Sequence, residues 1–293
     1  MKGQLVFWRC VFLALPLGVY GAIVIWPLAD SFFHSITNWN GFNPDYKLVW
    51  FDNFGRVFTD PLFYGAILRT AIWIAAAIVL PTGGGLALAL LLDGGLRGAR
   101  IYKSLFYLPI CLSAVVVGQV WIWIFEPGWG LLNTALDGVG LDGLRTAWLA
   151  DPDTSLASVI AAWSWQQTGL AMVIFLSGLT AIPAELTEAA AIDGASRGQR
   201  IRYVTLPMLR PATIVAVALS VINALKGFDI VWIMTEGGPF HSSETLAVFM
   251  YTESFKKYAM GYGSAIAVVL FLMTLVIIAL YFRTLRRLDA LFG

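Results

Sequence analysis

Six long apolar segments constrain this chain more than any other feature of its sequence. Each has about 20 residues or more, the length a helix needs to cross the roughly 30 Å hydrocarbon core of a bilayer. Charged residues make up only 13% of the 293 residues, against roughly 25% in soluble domains. Because a membrane forces backbone groups to pair within helices or closed barrels, we predict an all-α, polytopic membrane protein of one domain, 1–293, with six transmembrane helices. The predicted spans cover about 5–33, 62–92, 104–125, 156–182, 211–234 and 263–282.

The first apolar segment follows Met1 and Lys2 and includes Arg9, so it resembles the start of a secretory signal. Its run of about 25 residues is longer than the roughly 7–15 apolar residues of a signal core. We therefore interpret this segment as an uncleaved first span.

Six spans would place alternate loops on opposite sides of the membrane, and the basic residues are distributed unevenly between these two sides. Most lysines and arginines fall at the termini, in the turn 93–103 and in the segment 183–207, whereas the loop 126–155 is mainly acidic. Because basic loops stay in the cytoplasm, the N- and C-termini, the turn and the 183–207 segment are expected there. The basic residues on that side are Lys2, Arg9, Arg97, Arg100, Lys103, Arg197, Arg200, Arg202, Arg210, Arg283, Arg286 and Arg287.

The segment 183–207 has the pattern of a compact helical hairpin between the fourth and fifth spans. Pro183 suits a first helical position, and the alanines that follow favour a helix. Gly194 can take the left-handed conformation that ends a helix. A second short helix, about Arg197 to Tyr203, would then lead to Pro207, which stops it. The alternative is an ordinary cytoplasmic loop that is helical only through its alanines.

The sequence lacks the residues that several classes of function require. A net charge of +1 argues against nucleic acid as a partner. Cys10 and Cys111 lie in apolar segments, and His34 and His241 stand alone in polar loops, so neither a disulfide nor a metal site is expected. The sequence has no Gly-x-x-x-x-Gly-Lys-Ser/Thr phosphate loop. Catalytic residues are therefore not expected, and nucleotide chemistry would need another chain.

The hairpin carries a motif that resembles the EAA motif of the membrane subunits of ATP-binding-cassette (ABC) importers. It consists of Glu188-Ala189-Ala190, then Gly194, then Val204-Thr205-Leu206-Pro207, with Val204 where that family usually has isoleucine. Gly237-Gly238-Pro239 after the fifth span and Gly261-Tyr262-Gly263-Ser264 at the sixth are similar to the carbohydrate-uptake branch of that family. This branch includes the maltose and glycerol-3-phosphate permeases, and the resemblance covers nearly the whole chain.

The resemblance implies a type I ABC importer permease that carries a sugar or related carbohydrate across the bacterial cytoplasmic (inner) membrane. The expected partners are a homologous second permease subunit, two ATP-hydrolysing subunits that dock at 183–207, and an extracytoplasmic solute-binding protein. The chain itself would have no cofactor and no enzyme activity, since ATP and Mg²⁺ would bind the ATPase partner. The residues expected to couple the hairpin to that partner are Glu188, Ala189, Ala190, Asp193, Gly194, Leu206 and Pro207.

Polar residues in the fifth span are candidates for the solute pathway, because transported solutes bind near the bilayer midplane. In relatives resembling the maltose permease this segment supplies hydrogen bonds to sugar, although Lys226 and Gly227 replace amides found there. The alternative is an ion pair between Lys226 and Asp229 that does not touch the solute. The candidates in this span are Asn223, Lys226, Gly227, Asp229 and Trp232.

The fourth and sixth spans add further candidates for the solute pathway. Aromatic faces and amides suit the C–H faces and hydroxyl groups of sugars, and the fourth span offers Trp163, Trp165, Gln166, Gln167 and Thr168. Tryptophans near the end of a span also serve as interfacial anchors, which is the alternative. Ser264 beside Gly263 opens the sixth span, where small residues otherwise serve helix packing.

Two other classes of protein are alternatives to an ABC importer permease. An ion-coupled secondary transporter would need ionisable residues deep in several spans, and only the region of Lys226 and Asp229 supplies them. A membrane-embedded enzyme would need a metal cluster, a nucleophile–base pair or paired carboxylates within the spans. The sequence does not name the solute.

Overall fold

A computed structural model describes residues 12–292, together with their side chains except those of 282 and 284–292. The predicted start of the first span, with Lys2, Arg9 and Cys10, lies outside the described residues. The side chains of Arg286 and Arg287 lie outside the description as well.

Helices form nearly all the regular structure of the described chain, which confirms the predicted all-α class. Within residues 12–292, extended pairing is limited to one isolated antiparallel bridge between Thr37 and Leu48. The helices are α1 (Phe12–Ser35), α2 (Asp52–Val57), α3 (Pro61–Asp93), α4 (Ala99–Tyr107), α5 (Ala114–Ile124), α6 (Leu131–Gly138), α7 (Ser155–Thr180), α8 (Ala184–Ile192), α9 (Arg197–Met208), α10 (Arg210–Leu225), α11 (Phe228–Thr235), α12 (Leu246–Tyr251) and α13 (Met260–Phe292).

Four helices of the described chain are long and apolar enough to cross a membrane: α1, α3, α7 and the Met260–Tyr281 part of α13. Two further crossings arise if each of two bent helix pairs is counted as one span. The first pair is α4, extended to Cys111, with α5, bent by 105°; the second is α9 with α10, bent by 67°. The described residues thus contain four to six spans.

The third predicted span, 104–125, is two helices in the structure. Pro109 lies in a short 3₁₀ turn, Leu108–Cys111, that follows α4. Ser113 then takes an extended conformation, and its side chain accepts a hydrogen bond from the backbone N–H of Val116, 3.4 Å away, at the start of α5. A residue with an extended backbone interrupts the helical ladder, so the chain changes direction here.

The fifth predicted span, 211–234, is also interrupted. The helix α10 ends at Leu225, and the N–H groups of Lys226 and Gly227 donate to carbonyls only three residues back. A side chain could not replace Gly227 without movement, because its Cβ would lie 2.9 Å from the ring of Trp73. Close contact with Trp73 therefore explains the glycine at this break.

The chain divides into two compact units, of which the first combines the part up to Tyr64 with Phe249–Ile277. Here the Gly261–Ser264 motif serves close packing. The N–H of Gly261 donates to the carbonyl of Trp39, and a Cβ at Gly261 would overlap the carbonyl oxygen of Thr37. A Cβ at Gly263 would likewise overlap the hydroxyl of Ser254.

The second unit combines Gly65–Val248 with the segment from Ile278 onward. It contains the hairpin and most of the predicted solute-pathway residues. One apolar cluster is built around Trp73 and Trp163, whose rings lie 5.3 Å apart. A second cluster includes Leu92 at the end of α3 and Leu179 at the end of α7. These two helices cross closely, because a Cβ at Gly85 would lie 2.5 Å from that of Ala171.

Candidate coupling hairpin and solute pathway

The first helix of the hairpin, α8, ends in the way the sequence predicts. Gly194 has φ +80°, in the left-handed region. Its N–H donates to Ala191, and the N–H of Ala195 donates to Ala190, which together form a Schellman C-cap. At the other end Pro183 is the residue before the helix rather than its first residue, a shift of one position from our prediction.

The second helix, α9, is longer than the sequence predicts. Ser196 and Gln199 form a capping box, in which the Ser196 N–H donates to the Gln199 side chain at 2.7 Å. The helix continues past Tyr203 and ends at Met208, one residue after Pro207, where the chain bends by 67° into α10. A π turn at Ile201–Thr205 precedes the proline. The wider π turn accommodates a residue that has no N–H to donate.

The predicted coupling residues lie on the surface of this hairpin. All seven are exposed except Ala190, which is half-buried. Apolar side chains that our prediction omitted share that surface: Ile192 is 87% exposed and Tyr203 69% exposed. Contiguous apolar patches mark interaction sites, whereas single exposed residues do not; Tyr203 lines a surface groove with Asp193 and Gly194, and we add it, with Ile192, to the candidate docking surface.

Polar side chains link α10 to its two neighbouring helices within the second unit. The Asn223 amide donates to Gln167 Oε1 on α7 at 3.1 Å. One turn earlier, Ser220 and Thr82 of α3 have their hydroxyls 3.4 Å apart. Gln167 was among our candidates, whereas Ser220 and Thr82 were not; the i, i+3 spacing of Ser220 and Asn223 places both on one face of α10 and was the signal for Ser220.

Lys226 and Asp229 are both exposed, and no ion pair joins them in the described part of the chain. The alternative interpretation, in which the two side chains pair with each other, is therefore wrong for this structure. Trp232 is half-buried and stacks on Phe228 with ring centroids 5.6 Å apart. The break between α10 and α11 thus presents a cation and an anion that are not paired with each other.

Two of the fourth-span candidates, Trp165 and Gln166, point away from Asn223. Gln166 is buried and donates to the carbonyl of Leu112 at 2.9 Å. Trp165 is exposed beside Trp121, with ring centroids 5.8 Å apart. Because successive helical residues are about 100° apart, Trp165, Gln166 and Gln167 face three different neighbours. Ser264 is half-buried in the first unit.

Comparison with known proteins identifies the class. Residues 80–290 match the family described as binding-protein-dependent transport system inner membrane component, and the chain belongs to that family. The chain is 36% identical to the diacetylchitobiose uptake system permease NgcF of Streptomyces coelicolor, over 92% of this chain and 80% of that protein. It is 30% identical to the multiple sugar-binding transport system permease MsmF of Streptococcus mutans, over 97% of each.

The fold agrees with that of a solved importer. A bacterial ABC transporter involved in import of the polysaccharide alginate has a chain that matches this one with a TM-score of 0.82, over 98% of each chain, at 22% identity. The protein is therefore a multi-pass inner-membrane permease subunit with the type I importer fold. Such subunits are not enzymes, because ATP is hydrolysed by a separate subunit.

Proposed function

We propose that this chain is one permease domain with six spans and that it translocates a sugar or related carbohydrate. An extracytoplasmic solute-binding protein delivers the carbohydrate, and ATP hydrolysis on a separate subunit drives its transport. One observation carries the carbohydrate assignment. Two relatives named for oligosaccharide or sugar uptake, NgcF and MsmF, align over nearly the whole chain at 30% identity or more.

The assembly contains a homologous second permease subunit and two ATPase subunits that bind ATP and Mg²⁺. This chain supplies six spans, which make one half of a two-fold pore, and the hairpin that meets one ATPase. The N- and C-termini and the hairpin face the cytoplasm. The clustering of basic residues in the hairpin and in the turn before α4 supports this orientation.

The hairpin transmits force through its rigidity. Both helices have capped ends, at Gly194 and Ser196, so they hold a fixed angle while the ATPase moves. Ala189 and Gly194 permit close approach, Glu188 meets a cation of the ATPase, and Ile192 enters an apolar groove. Docking that differs between two states of the ATPase would shift the permease between its inward-open and outward-open states.

The solute passes the break between α10 and α11. Asn223 and its partner Gln167 form an amide pair that can exchange their mutual hydrogen bond for bonds to sugar hydroxyls. Lys226 and Asp229 are exposed at the break and extend this polar surface, with Trp232 and Gly227 beside them. Trp165 and Ser264 contribute elsewhere on the pathway, whereas Gln166 is held by Leu112 and supports it indirectly.

The test is solute-stimulated ATP hydrolysis by the purified complex. The complex is reconstituted with its solute-binding protein, and oligosaccharides, monosaccharides, polyols and sugar phosphates are compared in turn. We expect one carbohydrate class to raise the hydrolysis rate and to accumulate in proteoliposomes only with ATP. Uptake driven by an ion gradient without ATP, or stimulation by a non-carbohydrate solute alone, would contradict the proposal.

A further inference from the structure

A cavity lies between the coupling hairpin and the ends of two spans in the second unit. Its volume is about 420 Å³. The hairpin contributes Thr187 from α8 and both Arg197 and Arg200 from α9. The ends of α3 and α7 contribute Asp93 and Leu179. A ligand in this cavity would therefore touch the hairpin and the spans together.

The charge of this cavity is set by two arginines on one side of α9. Arg197 and Arg200 are three residues apart, so both side chains project in nearly the same direction. The Nε of Arg200 is buried and has no hydrogen-bond acceptor among the described residues. Burying an unpaired polar atom is costly, because its hydrogen bonds to water are lost and not replaced. An acceptor supplied by a ligand would remove that cost.

The one acidic residue of the cavity, Asp93, does not neutralise the arginines. Among the described residues no ion pair includes Asp93, Arg197 or Arg200. The guanidinium of Arg197 lies against the end of α3, where a Cβ at Gly94 would be 3.2 Å from its Nη2. Two cations against one anion leave an excess of positive charge in the cavity.

We propose that this cavity binds a phosphoryl group. Guanidinium groups match the geometry of phosphate oxygens and bind them with paired, charge-assisted hydrogen bonds. Because the lining comes from both the hairpin and the ends of α3 and α7, a bound phosphoryl group braces the hairpin against the spans. Binding of the phosphoryl group would stabilise the conformational state of the permease in which the cavity has its present width, relative to the other states.

Two sources supply this chemistry: the headgroup of an anionic phospholipid and a free phosphorylated solute. The cavity lies at the ends of membrane-crossing helices, which suits a headgroup, and it is also lined by polar residues of the hairpin, which suits a water-soluble ligand. This proposal rests on the proposed function in one respect only, namely that the hairpin lies in the cytoplasm. Its test is a binding measurement, so its failure would leave solute-stimulated ATP hydrolysis unaffected.

The experiment measures hydrogen exchange of backbone amides in 184–208 with the whole importer complex in nanodiscs. One arm titrates inorganic phosphate into phosphatidylcholine nanodiscs, with sodium chloride at matched ionic strength as the reference. The other arm replaces part of the phosphatidylcholine with phosphatidylglycerol and adds no phosphate. Wild type is compared with Arg200→Gln, Arg197→Gln and Arg202→Gln; Arg202 is exposed on the same helix and does not line the cavity.

We expect exchange to slow saturably in one arm, which identifies the source. Arg200→Gln should weaken that response by about fivefold or more, since it removes charge-assisted hydrogen bonds, and Arg202→Gln should not. An equal response to chloride, an unchanged response in Arg200→Gln, or no response in either arm would overturn the proposal. If Arg200→Gln fails to assemble, the Arg197→Gln variant decides between these outcomes.

Discussion

Gly194 and Glu188 are the two single residues on which the hairpin most depends. Gly194 sets the turn between the two helices through its positive φ. Glu188 places an exposed carboxylate on α8. The first acts on the shape of the hairpin and the second on what it binds, so the two are separable by experiment.

Replacing Gly194 by alanine should weaken coupling without a steric clash. No atom lies within 4 Å of its Cβ position, so the cost is conformational, about 1–2 kcal/mol for an L-residue with left-handed backbone. We expect solute-stimulated ATP hydrolysis and uptake to fall while the complex still assembles. Gly198→Ala, on α9 and equally free of contacts, is the matched control. Equal losses of uptake in the Gly194→Ala and Gly198→Ala variants would contradict the proposal that the positive φ of Gly194 is needed for coupling.

Glu188→Lys should abolish uptake in proteoliposomes while leaving a folded complex. Reversing the charge places a cation against the cation expected on the ATPase, and like charges repel at such a contact. Glu185→Lys reverses a charge at another exposed position of the same helix and is expected to retain most of the uptake. Normal transport by the Glu188→Lys complex would refute the assignment.

At the scale of the helices, the interruptions bear more directly on the proposed solute pathway than the helix lengths do. The predicted third and fifth spans are bent or broken at Pro109–Ser113 and at Lys226–Gly227. A continuous helix pairs its backbone N–H and C=O groups with one another. At a break some of these groups lose their helical partners and become available, with nearby polar side chains, to a solute. Non-helical backbone at membrane depth is tolerated where it is buried in protein or lines a cavity, which is why the second break is central to the proposed pathway.

Gly227→Ala should destabilise the complex through packing. Its methyl group would press on the ring of Trp73, whose Nε1 donates to the Ala224 carbonyl at 3.1 Å. Overpacking of this kind costs about 1–3 kcal/mol. We expect a lower midpoint of thermal unfolding, measured by intrinsic fluorescence, than for wild type. Gly83→Ala, inside α3 and with nothing within 4 Å of the added Cβ, should not lower the midpoint, because alanine favours a helix more than glycine does; a loss there of equal size would count against the packing argument.

At the scale of the whole molecule, orientation in the membrane follows from how charge is shared along the chain. The hairpin carries Arg197, Arg200 and Arg202, whereas the 126–155 loop carries five carboxylates and one arginine. The loop also exposes apolar residues, among them Leu131 at 66%. Ile192 on the hairpin is 87% exposed. Both positions are therefore accessible to a labelling reagent, and they are expected on opposite sides of the membrane.

Single cysteines at these two positions should react from opposite sides of the membrane. Cys10 and Cys111 are first replaced by serine, and Ile192→Cys and Leu131→Cys are then tested with a membrane-impermeant maleimide in cells that lack the ATPase subunits, since these would cover Ile192. We expect Leu131→Cys to be labelled in intact spheroplasts and Ile192→Cys only in inverted vesicles, because basic segments stay in the cytoplasm. Labelling of Ile192→Cys in intact spheroplasts would contradict the orientation.

The sequence by itself determined the features that depend on near neighbours along the chain. Apolar segment lengths gave the helical membrane class, and the spacing of Glu188, Gly194 and Pro207 gave the hairpin and its family. The Gly194 cap follows from the same short range, since its hydrogen bonds reach no further than five residues. Even within this range, the π turn that lets α9 continue through Pro207 left no clear signal in the residue types.

The tertiary structure alone decided which side chains meet. Asn223 bonds to Gln167, 56 positions earlier, whereas Trp165, only two residues from Gln167, faces Trp121. It also brought Arg197 and Arg200 to a cavity beside Asp93. Such contacts depend on how each helix is rotated and where its neighbours cross it. That outcome is set by the packing of whole helix faces, which the local pattern of residues does not encode.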